Sequence, residues 1–194
     1  MPEYDQRTAL VVVDVQNDFA DPSGSLYVSG GEDVVPVINS EISNAREAGA
    51  TVVYTQDWHP PDTPHFAKDG GIWPVHCVRD TKGAEFHPGL TVEGRVVRKG
   101  TDGEDGYSGF TVRDPETGEE GSTDLEPLLR EKGIERLVVV GLATDYCVKA
   151  TALDGVGKGF ATAVLTNAIR AVDLESGDGE RALAEMTAAG AEIV

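Results

Sequence analysis

Cys147 stands where a buried strand runs out and a helix begins, a position that suits a nucleophile. The run Leu137-Val138-Val139-Val140 is apolar and mostly β-branched, as in a strand buried on both faces of a parallel sheet, and Gly141 is expected to end it. Leu142-Ala143-Thr144-Asp145-Tyr146-Cys147 then supplies a turn, a capping hydroxyl or carboxylate, and a thiol in the first turn of a helix. Unpaired N–H groups and the positive dipole end favour a thiolate there, and the same N–H groups can hold an oxyanion. Position alone fits an inert cysteine packed under a helix equally well. A catalytic thiol needs one group to take its proton and another to hold the charge that develops on the substrate.

Two further strand ends offer such groups. Asp14 follows Leu10-Val11-Val12-Val13, and Lys99 follows Val96-Val97-Arg98 and precedes Gly100. Singly, Asp14 reads as a turn residue holding the Asn17 loop, and Lys99 as a solvated lysine. Together with Cys147 they make a working set: Asp14 accepts the thiol proton, and Lys99 keeps Asp14 ionised and stabilises the thiolate. Spacing does not join the three; the strand order must. A second cluster is Asp57 and His59, which alternate along a strand end and project from one face, with His65 and His76 following in a proline-rich loop. One carboxylate and several imidazoles suit a divalent ion such as Zn²⁺, Fe²⁺ or Mn²⁺; surface histidines without a metal are the alternative. Three of the four histidines lie in this loop, and His87, before Pro88, reads as structural.

The elements that must position these residues alternate. Strands are expected at Thr8–Val13, Thr51–Thr55, Arg95–Arg98, Leu137–Val140, Ala161–Thr166 and Ala191–Val194. Helices are expected over Glu32–Ala48, around Leu125–Leu129 behind a Thr123/Glu126 capping box, from about Asp145 to Val156, and from about Gly179 to Ala189. The stretch from Gln56 to Leu90 reads as a long functional loop with short helical turns, and Thr101 to Gly121 as an acidic, glycine-rich loop. This alternation gives an α/β fold, a three-layer αβα arrangement around a mostly parallel open sheet of about six strands. Ligands bind beyond the carboxyl ends of such strands, where Asp14, Asp57, Lys99 and Cys147 all fall.

At 194 residues the chain suits a single domain, residues 1–194. A net charge of −18 argues against nucleic acid or an anionic membrane as partner and leaves a small molecule; monomer and homo-oligomer both remain open. The N-terminus lacks the basic and apolar regions of a signal peptide and no apolar run approaches a membrane span, so a cytoplasmic protein with free Cys77 and Cys147 is expected.

Asp14-Val15-Gln16-Asn17-Asp18-Phe19, Asp57-Trp58-His59, Trp73-Pro74-Val75-His76-Cys77, Lys99-Gly100, Tyr107-Ser108-Gly109-Phe110 and Gly141-Leu142-Ala143-Thr144-Asp145-Tyr146-Cys147-Val148 closely resemble the nicotinamidases of the isochorismatase-like hydrolase superfamily. The resemblance runs in order along nearly the whole chain. It implies a catalytic triad of Asp14, Lys99 and Cys147, and one divalent metal, Zn²⁺ first, on Asp57, His59, His65 and His76. It also implies a cis peptide at Leu142-Ala143 that turns N–H groups toward an oxyanion, and Phe19 and Trp73 sandwiching a pyridine ring, with Gln16 and Tyr107 lining the same pocket. The reaction implied is nicotinamide to nicotinate and ammonia, a step of NAD salvage, with pyrazinamide accepted as well. The acidic stretch Thr101 to Gly106 departs from the family's usual composition. An amidase for a carbamoyl or ureido compound, and a metal- or ligand-binding module without turnover, are the other readings. An isochorismatase proper does not use the thiol.

Overall fold

The β-branched runs form the sheet that their pattern predicts. In the computed structural model, which describes residues 3–194, β1 (Thr8–Val13) is buried along its whole length and pairs in parallel with β2 (Thr51–Asp57) on one side and β6 (Arg136–Leu142) on the other. With β3 (Arg95–Lys99), β7 (Ala161–Arg170) and β8 (Glu192–Ile193) the order is β3-β2-β1-β6-β7-β8, six strands with every pairing parallel. The chain steps outward from β1 to β3 and returns to β6 across β1, so the order reverses between β1 and β6, the crevice where open α/β sheets bind ligands.

Both faces are covered. Helix α2 (Val34–Glu47) buries Val34, Val35, Ile38, Ile42 and Ala45, an i, i+4 stripe, against Leu10, Val12, Val52, Tyr54, Val138 and Val140. The alternate strand residues Ala9, Val11, Val13, Leu137 and Val139 face α3 (Leu125–Glu131), α4 (Lys149–Gly157) and α5 (Asp178–Ala189) through Leu125, Leu129, Ala152 and Met186. The three-layer αβα architecture is therefore as expected.

Several local details differ from the sequence reading. Gly141 does not end β6, which runs on to Leu142. Gly141 has φ +115° and lies so close to β1 that a Cβ there would meet the Val13 carbonyl oxygen at 2.1 Å, so glycine lets the strand continue where a side chain would stop it. The capping box does not form. Thr123 Oγ1 accepts the Leu125 N–H (3.1 Å) and donates to the Gly109 carbonyl (2.6 Å), while Glu126 is drawn to Lys158 (2.8 Å). The acidic loop holds an antiparallel ribbon of β4 (Thr111–Arg113) and β5 (Glu120–Ser122), and Asn17–Ala20 forms a short helix, α1, in place of a loop. The expected helix after Ala143 opens as a π-helical turn, Thr144–Val148, closed by a Val148 N–H bond to the Ala143 carbonyl (3.0 Å). Such turns cost backbone regularity and recur at functional sites.

Candidate active site

Four strand ends deliver polar side chains to the crevice. Asp14 leaves β1 with φ +47°, a left-handed conformation that a non-glycine residue holds only when its surroundings impose it. Here its N–H bonds the Thr55 carbonyl (3.3 Å) and Thr55 Oγ1 donates to its Oδ1 (2.7 Å). Asp57 and Lys99 end adjacent strands in register. Lys99, a fully buried lysine, reaches across to Asp14 Oδ2 (2.9 Å), donates to Asp57 Oδ1 and to the Gly106 carbonyl (2.7 Å), and approaches Cys147 Sγ at 3.7 Å. Cys147 Sγ and one oxygen each of Asp14 and Asp57 lie within 4.8 Å of one another. The three residues that spacing could not join are thus in contact.

Burial removes this cluster from water, so charge decides each proton. Burial raises the Asp14 carboxyl above its ordinary range; Lys99 opposes the rise and Asp57 adds to it. Burial alone would pull the Lys99 ammonium down, but Asp14 and Asp57 outweigh it and hold the ammonium charged well above the usual lysine value. For Asp57 the balance falls the other way: burial raises it, yet Lys99 and then His59 hold it well below the carboxylate range. Cys147 departs from expectation. Burial pushes its thiol well above the ordinary value, with Asp14 and Asp57 adding and Lys99 opposing, so the helix start does not leave a resting thiolate. Nor does Asp145 cap that helix: its two carboxylate oxygens accept the Val172 and Asp173 N–H groups, each at 2.9 Å. Asp14 Oδ2 has no directed hydrogen bond despite the nearby ammonium, so a lone pair is free for the thiol proton.

The peptide Leu142-Ala143 is cis. The Ala143 carbonyl takes the Tyr146 and Val148 N–H groups, and the N–H groups of Ala143 and Cys147 on either side of this turn are the candidate donors to an oxyanion.

Beside the thiol, His59, His65 and His76 present ring nitrogens within 4.8 Å of one another, all three buried. Both nitrogens of His59 lack any hydrogen-bond partner, a costly state for a buried imidazole unless an ion completes it. His65 Nδ1 is held by Asp105 Oδ1 (2.6 Å) and His76 Nδ1 by the Pro74 carbonyl (2.7 Å), which leaves the Nε2 atoms as donors. Burial lowers the pKa of His65 and brings His76 to about 4, so both are neutral near pH 7, the form that binds metal. Asp57 stands between the two groups: Lys99 takes Oδ1, and Oδ2 is 3.8 Å from His59 Nε2. The donor set fits a divalent ion, with Gly100 providing the room. A Cβ on that residue, which has φ +72°, would stand 2.6 Å from the His59 ring.

A small cavity of about 30 Å³ leads to Cys147. Phe19, Trp73 and Tyr107 line it, and Tyr107 is fixed by the Trp73 indole N–H (2.9 Å). Gln16 does not line it. Its fully buried amide donates to the carbonyls of Asp57 (2.8 Å) and Ala84 (2.9 Å) and accepts the Asp57 N–H (2.8 Å), which saturates it as a support for Asp57. Tyr146, which stands edge-on to Trp73 (4.9 Å) beside the thiol, also lines the cavity, as do the apolar Leu26, Val28 and Val172, none of them marked by the sequence pattern. Only the adjacency of Tyr146 to Cys147 could have signalled it. His87 lies outside the cluster, accepting the Gly89 N–H at 3.1 Å, and both cysteines are free thiols.

A parallel α/β sheet with a thiol, a carboxylate and an ammonium in contact at its switch point, flanked by an imidazole cluster under a small apolar cavity, defines a hydrolase that works through a cysteine. A family model of the isochorismatase domain matches residues 8–194, and the chain belongs to that family. It is 37% identical over 203 residues to a nicotinamidase of Escherichia coli (strain K12), covering 95% of this chain and 93% of that one. Among solved structures it resembles a pyrazinamidase of Pyrococcus horikoshii in complex with zinc (TM-score 0.86, 41% identity, 97% and 98% of the two chains). It also resembles PnC1 from L. infantum in complex with nicotinate (TM-score 0.89, 36% identity, 100% and 95%). No helix among the described residues is long and apolar enough to cross a membrane.

Proposed function

We propose that this protein is a metal-assisted cysteine amidohydrolase that converts nicotinamide and water to nicotinate and ammonia, accepts pyrazinamide, and serves NAD salvage in the cytoplasm as a single domain. The observation that carries this reading is the contact of Cys147 with Asp14 and Lys99 at the end of an aromatic-lined cavity that also borders His65 and His76. Similarity to a nicotinamidase and to a pyrazinamidase supplies the ring and the amide.

In the first step Cys147 Sγ bonds to the carboxamide carbon while its proton passes to Asp14 Oδ2. Lys99 holds Asp14 in place and compensates the charge left on the thiolate. The developing oxyanion is taken by the N–H groups of Ala143 and Cys147. Asp14 returns the proton to the departing nitrogen, ammonia leaves, and a thioester remains. Water then attacks the thioester carbon, Asp14 accepts one of its protons and passes it to the departing thiolate, the other proton leaves the new carboxyl group to solvent, and nicotinate and the resting thiol result. Phe19, Trp73 and Tyr107 hold the flat ring against the thiol. The residues Asp57, His59, His65 and His76 would hold a divalent ion, Zn²⁺ first, whose Lewis acidity orients the ring nitrogen directly or through water.

Ammonia release from nicotinamide tests this. Cys147→Ala is expected to lower turnover by more than about 1,000-fold while calorimetry still detects nicotinamide binding. Chelation is expected to abolish turnover, and added Zn²⁺ to restore it. Near-normal turnover in Cys147→Ala overturns the assignment of the nucleophile. Ammonia release from carbamoyl or ureido compounds, but not from nicotinamide, by a folded zinc-loaded sample overturns the substrate.

A further inference from the structure

The acidic stretch Thr101 to Asp105 after β3 has no part in the catalytic scheme, yet it touches the histidine cluster directly. Asp105 Oδ1 lies 2.6 Å from His65 Nδ1. The carboxylate oxygen accepts there, so the Asp105 contact places the proton on Nδ1 and leaves Nε2 with its lone pair directed away from Asp105. The contact is not a chance meeting of mobile side chains. The Asp105 backbone pairs in both directions with Arg113 of β4, N–H to carbonyl at 2.8 Å and 2.6 Å, so the β4–β5 ribbon anchors this residue. A second tie joins the same two loops: Thr63 Oγ1 donates to the Gly103 carbonyl (2.8 Å) and accepts the His65 N–H (3.2 Å). His65, in the proline-rich loop beyond β2, is therefore latched, through side chain and backbone, to a segment that begins at Lys99. Among the acidic residues of this stretch, Asp102, Glu104 and Asp105, only Asp105 makes this contact; Glu104 accepts the Asp102 N–H instead.

We propose that Asp105 is a positioning residue for the metal centre, fixing the tautomer and the ring orientation of His65, and that the β4–β5 ribbon serves to hold Asp105. The proposal rests on the reading of His59, His65 and His76 as metal ligands. A carboxylate behind a ligating imidazole raises its basicity and removes the entropy of ring rotation, and loss of such a partner typically weakens metal binding about 10- to 100-fold.

Zn²⁺ titration against a chromophoric chelator tests it, on wild type, His59→Ala, Asp105→Ala and Asp105→Asn, with the thermal midpoint of each metal-free protein as the folding control. Asp105→Ala is expected to weaken zinc binding about 10- to 100-fold with the metal-free midpoint unchanged. Asp105→Asn, whose amide oxygen still accepts from Nδ1–H, is expected to recover part of the loss. Nitrogen chemical shifts of His65 in the metal-free protein should report the Nδ1–H tautomer in wild type and a mixture of tautomers in Asp105→Ala. Zinc affinity in Asp105→Ala equal to wild type, with His59→Ala impaired, overturns the role of Asp105 alone. Failure of wild type to bind zinc more tightly than His59→Ala overturns the metal reading, and this proposal with it.

Discussion

Cys147 keeps its proton at rest because burial and two neighbouring carboxylates outweigh one ammonium. The chemistry therefore depends on Asp14, which raises the thiol pKa while it waits and takes the proton when the amide arrives. Replacement of Asp14 by Asn separates these two effects. The variant loses the base, so turnover should fall by about 100- to 10,000-fold. It also removes a negative charge while Lys99 stays, so the thiol pKa should drop and alkylation by iodoacetamide near neutral pH should become faster than in wild type. An inert packing role for Asp14 predicts no such gain. The same balance sets the pH profile. Activity requires Asp14 ionised, and burial raises its pKa, so kcat/KM should fall as pH drops through an apparent value above the ordinary carboxylate range. The acidic limb that Asp14 creates should be missing from the residual activity of Asp14→Asn; a profile identical in shape to wild type would remove Asp14 as the base.

The seam between β1 and β6 carries both the base and the nucleophile, and Gly141 is what allows that seam to close at its carboxyl end. A Cβ at this residue meets the Val13 carbonyl at 2.1 Å and φ is +115°, so Gly141→Ala combines a clash with a disfavoured backbone. A loss of about 2–5 kcal/mol in denaturant unfolding is expected. A change below about 1 kcal/mol would show that the strands part easily there. Elements of this kind mark what the sequence makes legible. The runs Leu10 to Val13 and Leu137 to Val140 declare buried parallel strands through apolar β-branched composition, and their ends point out Asp14 and the turn before Cys147. The same pattern cannot show that Gly141 continues a strand, because its φ is set by the neighbouring chain. It cannot show the π-helical turn either, which follows from how the Ala143 carbonyl is shared. The family resemblance places Gln16 in the pocket, and only the folded loops reveal that Asp57 and Ala84 claim its amide. Asp105 carried no sequence signal that set it apart from its acidic neighbours, since its contact depends on a ribbon hidden in glycine-rich sequence.

Across the whole molecule the dominant electrostatic fact is excess negative charge. With 34 acidic side chains and 16 lysines and arginines, the acids outnumber the cations about two to one and leave a net charge of −18. Lys99 is withdrawn from the surface altogether, spent on Asp14 and Asp57. Most other pairs, such as Lys68 with Asp62 and Arg130 with Glu126, are exposed and contribute little to stability. Folding therefore gathers like charges that the unfolded chain keeps apart, and self-repulsion works against the compact state. Salt relieves this at the surface and leaves the buried cluster nearly untouched: the Debye length shrinks from about 30 Å at 0.01 M to about 3 Å at 1 M. Raising sodium chloride over that interval should stabilise the fold by about 1–2 kcal/mol, seen as a rise of about 2–8 °C in the thermal midpoint. Chloride is the proper choice, because sulfate also strengthens apolar burial and would mix the two effects. Screening does not act on a neutral amide, so kcat/KM for nicotinamide should change far less than the midpoint does. A midpoint that stays flat or falls with sodium chloride would mean that the surface ion pairs outweigh the repulsion, and that the acidic excess carries no stability cost.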